Sequence, residues 1–163
     1  MQIVLLTIIW LALMGGDHVL ATAQMPDYLI YEDKKYPLFS NPLEDYYQAG
    51  RQPRPPFQAW HTANYRGYVA TWEIKDDTLY LKDIRAKIGG RMVGLDYLFP
   101  DNPGRLAATW FRGVLRIPLG EVLRRVHQGY ATVYEQELKI TIQDGKVVRK
   151  DIINNRSRSG PEQ

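Results

Sequence analysis

The sequence contains no cysteine, which excludes a disulfide framework, a thiolate zinc site, a cysteine nucleophile and a lipidated N-terminal cysteine. Serine is nearly as scarce. Beyond residue 23 only Ser40, Ser157 and Ser159 occur, and none stands in the glycine-flanked elbow of a serine hydrolase. Neither GxGxxG nor GxxxxGK is present, and Gly89-Gly90 lacks the strand-to-helix setting of a phosphate loop. Past residue 23 the only histidines are His61 and His127, with no HxxxH pair, so the sequence points to no metal and no cofactor.

Long apolar runs are also missing, apart from the uncharged stretch Ile3 to Met14. A helix of about a dozen residues spans only about 18 Å, short of the ~30 Å hydrocarbon core, so no permanent membrane span is expected. The stretch is followed by Gly15-Gly16 and by Ala21-Thr22-Ala23, the layout of a signal peptide with cleavage before Gln24. The segment before it, Met1-Gln2, has no Lys or Arg. Residues 1–23 are therefore expected to be a signal peptide that sends the protein to the periplasm or outside the cell. The alternative is a cytoplasmic protein that starts at Met25.

The remaining chain of about 140 residues is long enough to bury about two-thirds of its unfolded surface, and a single domain over residues 24–153 is expected. The formal net charge is +3. Its basic excess sits at one end, where Lys146, Arg149, Lys150, Arg156 and Arg158 face one acid, Asp151. A nucleic-acid binder carries its basic stripe across the folded body, so this placement argues against nucleic acid and fits a guarded edge strand.

Alternation and turn residues predict a hairpin from Tyr28–Tyr31 and Tyr36–Phe39 around residues 32–35. Asn41-Pro42-Leu43-Glu44 reads as a capped helix start, with Asn41 as cap, Pro42 in the first turn and Glu44 reaching back; this helix ends near Ala49. Pro53, Pro55 and Pro56 make residues 50–58 an extended loop. With Asp76-Asp77 as the turn, Ile74 faces Leu79, Trp72 faces Leu81, Glu73 faces Tyr80 and Thr71 faces Lys82, so Trp72 lies on an apolar face. Residues 85–104 give no clear assignment. Trp110 to Ile117 alternates as a strand, and Leu119, Val122, Leu123 and Val126 make the stripe of a helix over residues 118–128. Strands at residues 130–134 and 137–142, a turn at Asp144-Gly145 and a bulged return over 146–153 follow. Residues 154–163 have no apolar side chain and are expected to be disordered. The expected class is α+β, mainly an antiparallel sheet of hairpins packed with two short helices.

Two carboxylate pairs, Glu135 with Glu137 and Glu73 with Asp83, have a spacing that a glycoside hydrolase could use, although acids on strands commonly form a solvated face. Neither pair amounts to an identified catalytic residue. His127 reads as a cap at a helix end. The candidate binding surface is the loop Phe57 to His61 with the strand start after it, chiefly Trp60, His61, Tyr65 and Arg66, because rigid aromatic and Arg groups dominate binding hot spots. The competing reading is that Trp60 closes the end of the sheet while Arg66 pairs an acid.

Asn41 to Glu44, Tyr65 to Ile74 and Gly129 to Glu135 resemble stretches of small exported bacterial proteins that carry no assigned activity. The resemblance implies a single exported domain and supplies no functional residue. The functional expectation is a non-catalytic binding or interaction module of a bacterial envelope with a protein or glycan partner. A small carboxylate-based hydrolase acting on carbohydrate and an inhibitor- or immunity-type protein binder are the alternatives. The leader reading predicts that protein purified from its native host begins at Gln24. Intact mass checks this, and a start at Met1 or Met25 refutes it.

Overall fold

The computed structural model describes residues 24–102, 104–126 and 130–158. The expected signal peptide, His127, Gly129 and residues 159–163 lie outside them. Nine strands among the described residues form one sheet: β1 (Asp27–Tyr31), β2 (Lys34–Leu38), β3 (Tyr68–Lys75), β4 (Thr78–Ile88), β5 (Arg91–Val93), β6 (Leu106–Ala107), β7 (Gly113–Arg124), β8 (Val133–Gln143) and β9 (Lys146–Asn154). Two short helices accompany them, α1 (Pro42–Gln48) and α2 (Leu95–Leu98). No described helix is long and apolar enough to cross a membrane.

The sheet runs β2-β1-β3-β4-β9-β8-β7, with β5 and β6 also paired to β4. Pairing is antiparallel except between β1 and β3, where Tyr28, Leu29 and Ile30 lie parallel to Thr71, Trp72 and Glu73. This corrects the expectation of hairpins alone: the sheet is mixed. A parallel pair needs a long crossover, here supplied by β2, α1 and the proline-rich loop. The two ends of the sheet also meet. Phe39, just after β2, donates its N–H to the Arg116 carbonyl (2.8 Å), and the Ser40 hydroxyl bridges the Val114 carbonyl (3.0 Å) and the Arg116 N–H (3.1 Å).

The two-residue turns Glu32-Asp33 and Asp76-Asp77, like Gly89-Gly90 and Asp144-Gly145, hold left-handed backbone at both positions, the mirror-image turn whose twist suits a hairpin. The first hairpin therefore has a tighter connection than the expected loop 32–35. In the second, Ile74 pairs with Leu79, Glu73 with Tyr80 and Trp72 with Leu81 as the alternation predicts. Thr71 pairs with Asp83 rather than Lys82, because β4 accommodates one extra residue there. The expected bulge near the start of β9 is present, between Thr141 and Ile142 opposite it, and leaves Ile142 against Val147.

The helix expected over residues 118–128 is strand instead. β7 continues through Pro118, opposite Glu137, to Arg124. Between Leu119 and Val122, and again between Val122 and Arg124, β7 takes one more residue than β8, and Gly120 turns left-handed. Each insertion lengthens the two-residue alternation locally, so Leu119, Val122 and Leu123 imitate a helical stripe. A long partner strand, β8, decides the outcome. It is a single strand where two short ones were expected. β9 reaches Asn154 and Arg156–Arg158 form a 3-10 turn, so the segment read as structureless begins with ordered backbone. Along β9 only Lys146 is paired with β4, which leaves most of its outer edge without a strand partner among the described residues.

Leu29, Leu38, Leu43, Trp72, Leu81, Leu115, Ile117 and Ile140 are all fully buried in one core. Trp72 is its largest member, set edge-on to Trp110 with ring centroids 6.3 Å apart. Replacing Trp72 with Ala should cost about 3–5 kcal/mol, the usual range for a buried aromatic. A denaturant midpoint equal to that of the parent protein would refute the assigned register.

Candidate functional site

The buried polar centre lies where β1 begins. Asp27 is fully buried, and its carboxylate accepts hydrogen bonds from Arg66 Nη2 (2.9 Å), the Ala70 N–H (3.1 Å) and Trp72 Nε1 (3.2 Å). Arg66, 6% exposed, also donates to Asn41 Oδ1 and to the Met25 carbonyl (3.0 Å). The Tyr130 hydroxyl donates to the same Asn41 oxygen (3.0 Å). Asn41 therefore makes no side-chain cap on α1, although the helix does start at Pro42. Glu44 is diverted as well: it accepts from the Tyr68 hydroxyl (2.6 Å) and from Arg54. The expected reciprocal cap does not form, since charged and phenolic donors outcompete a backbone amide for these oxygens.

Burial pushes the Asp27 carboxyl up to about 6, with Arg66 and the Ala70 and Trp72 hydrogen bonds opposing the shift. Burial is the largest single influence on Arg66 and works against its charge, but Asp27, Tyr68 and Tyr130 together outweigh it and hold the guanidinium above its ordinary value. Tyr130 is pushed up to about 12, also mainly by burial.

The four residues read as a candidate surface are not brought to one place. Arg66 points inward, into the Asp27 pair. Tyr65 is 69% exposed and His61 is exposed, its ring packed edge-on to Trp60 at 6.1 Å. Trp60 is half-buried and lines a cleft of about 240 Å³ with Met25, Tyr28, Lys35, Val69, Thr71 and Arg85. The parallel pairing sets Tyr28 beside Thr71, and Val69 lies opposite Arg85 on β4. Lys35 extends from β2 with its ammonium 4.2 Å from the centroid of the Tyr28 ring. Sequence reasoning did not place Tyr28, Lys35 and Arg85 beside Trp60, because the non-local pairing of β1 with β3 gathers them.

The loop that carries Trp60 is tied down on both sides. The Gln58 N–H donates to the Lys87 carbonyl (2.8 Å), and the Gln58 side chain accepts from the Gly90 N–H (2.8 Å). Gly67 is left-handed, and a Cβ there would meet Gln58 N at 2.7 Å and Phe57 atoms at 2.8 Å. Only glycine lets the loop backbone press so closely on the start of β3.

Within the cleft two positive groups, Lys35 and Arg85, have no ion-pair partner among the described residues. Asp83 is nearby, opposite Thr71, but its carboxylate accepts from the Ile84 N–H (2.8 Å) and does not line the cleft. The other acids considered for catalysis are engaged elsewhere. Glu135 pairs with Arg156, Glu137 with Arg116 (2.7 Å) and Lys139 (3.5 Å), and Glu73 with Lys82 (2.6 Å) and Arg105 (3.7 Å). Among the described residues no group of three or more His, Asp or Glu is placed to hold a metal ion.

No family model matches this chain, nor does any curated protein or solved structure.

The Asp27 shift has a definite sign. Its carboxyl titrates higher in the folded state than the ordinary 3.8, so its contribution to stability is full below 3.8 and is lost as pH rises through about 6. Asp27→Asn removes this dependence. The parent should therefore lose stability relative to Asp27→Asn across that window, and NMR titration of the Asp27 carboxyl should give a midpoint near 6. A constant difference between the two proteins would refute the shift.

Proposed function

We propose that this chain is an exported, non-catalytic binding module of a bacterial envelope, and that the cleft beneath Trp60 is its site. One observation carries the reading: two rings, Trp60 and Tyr28, and two cations without an ion-pair partner among the described residues, Lys35 and Arg85, line one cleft. A rigid sheet forms its floor and a tethered loop its wall. Concave sites that combine aromatic rings with a few placed polar groups are where small ligands bind. The leader-like start of the sequence supports export. The carboxylate-hydrolase alternative gains nothing from this arrangement, since the cleft has no carboxylate in its lining.

An inhibitor- or immunity-type protein binder is the second reading. It is favoured by Val148 and Ile152, exposed on β9 beside a largely unpaired edge.

The test compares Trp60→Ala with a double Val148→Ser, Ile152→Ser variant in quantitative binding to solubilised envelope material, with thermal unfolding measured beside it. Trp60→Ala should weaken binding at least tenfold, about 1.4 kcal/mol, and leave the thermal midpoint in place. Loss confined to the β9 variant would overturn the cleft in favour of the second reading. A fall in stability for Trp60→Ala, with normal binding by the folded fraction, would assign Trp60 to packing.

A further inference from the structure

Resting on the Trp60 cleft as the site, we infer that its ligand is an acidic saccharide unit: one sugar ring bearing a single carboxylate or phosphate. The charge of the lining points to an anion. Lys35 and Arg85 stand at the cleft from two different strands, β2 and β4, and neither is neutralised by an ion pair among the described residues. Asp83, the acid opposite Thr71, is turned to the Ile84 N–H. The Lys35 ammonium is stationed over the Tyr28 ring, 4.2 Å from its centroid, where the ring face favours a cation and holds the charge at the cleft wall.

Size and lining narrow the class further. At about 240 Å³ the cleft falls below the ~300–1,000 Å³ of sites for drug-sized ligands, so it admits one ring and its substituents. A pyranose presents C–H groups on its faces and hydroxyls around its rim. The faces suit the Trp60 ring, whose body is apolar, and the rim suits the hydroxyls of Thr71 and Tyr28. The anionic substituent then meets Arg85, whose planar fork matches carboxylate and phosphate alike.

Calorimetric titration of the full protein with galacturonic acid, glucose 6-phosphate, glucose and a short poly-glutamate peptide tests this. At least one of the two acidic sugars should bind, and their ratio distinguishes carboxylate from phosphate. Glucose and the peptide should bind at least tenfold more weakly. Arg85→Gln and Lys35→Gln change exposed side chains and should keep the parent's thermal midpoint while weakening the acidic sugar about tenfold. Added salt should weaken it too. Equal affinity for glucose or the peptide, or no binding of either acidic sugar, overturns the ligand class. If Trp60→Ala still removes binding to envelope material in that event, the cleft stands and only the class falls. If neither Trp60→Ala nor Arg85→Gln changes any binding, both fall.

Discussion

A single buried carboxylate, that of Asp27, reinforces the short β1–β3 ladder and, through Arg66, ties it to the start of α1. It is the first residue of β1, yet two of its hydrogen bonds go to β3, through the Ala70 N–H and Trp72 Nε1. Its third goes to Arg66, which carries the connection to Asn41 at the start of α1 and to the Met25 carbonyl. Tyr130 reaches the same Asn41 oxygen from the segment before β8. The parallel β1–β3 pair covers only three residue pairs, and this charge network fixes it at one end. Removing either partner of a buried ion pair strands the other charge and typically costs about 3–5 kcal/mol.

Burial works against the charge that this arrangement holds. Burial raises the Asp27 carboxyl to about 6, so ionising it inside the protein is harder than in water, even with Arg66 and two other donors in place. Apolar side chains of similar volume commonly fill such a position at no loss of stability. What an apolar pair lacks is direction. Here the carboxylate accepts one hydrogen bond from Arg66 and two from β3, and the rest of the guanidinium reaches Asn41 and the Met25 carbonyl, so the contacts are directional.

How much of this could be read from the sequence depends on range. The Asp76-Asp77 turn, the Trp72–Leu81 pairing, the Pro42 start and the Asp144-Gly145 turn follow from neighbours a few residues apart, and each was legible. Three features escaped because a distant partner overrides the local pattern. Asn41 and Glu44 match a helix cap, but Arg66, Tyr68 and Arg54 claim their side chains. The stripe Leu119, Val122, Leu123 matches a helix, but β8 draws it into a bulged strand. Nothing local signals that β1 runs parallel to β3, since a hairpin partner, β2, lies next to it in sequence.

The same limit shaped the reading of the candidate site. Trp60 and Arg66 are close in sequence and both have the chemistry of hot-spot residues, yet the loop sends them to opposite sides of the sheet: Trp60 to the cleft, Arg66 to the Asp27 centre. Their roles are linked all the same. The Gln58–Lys87 bond holds the loop before Trp60, and the Arg66–Asp27 pair holds it after. A loop anchored on both sides loses little conformational freedom when a ligand arrives, so more of the contact energy appears as affinity. The Asp27–Arg66 pair is thus one of the two anchors of the loop that brings Trp60 to the cleft lined also by Tyr28 and Arg85.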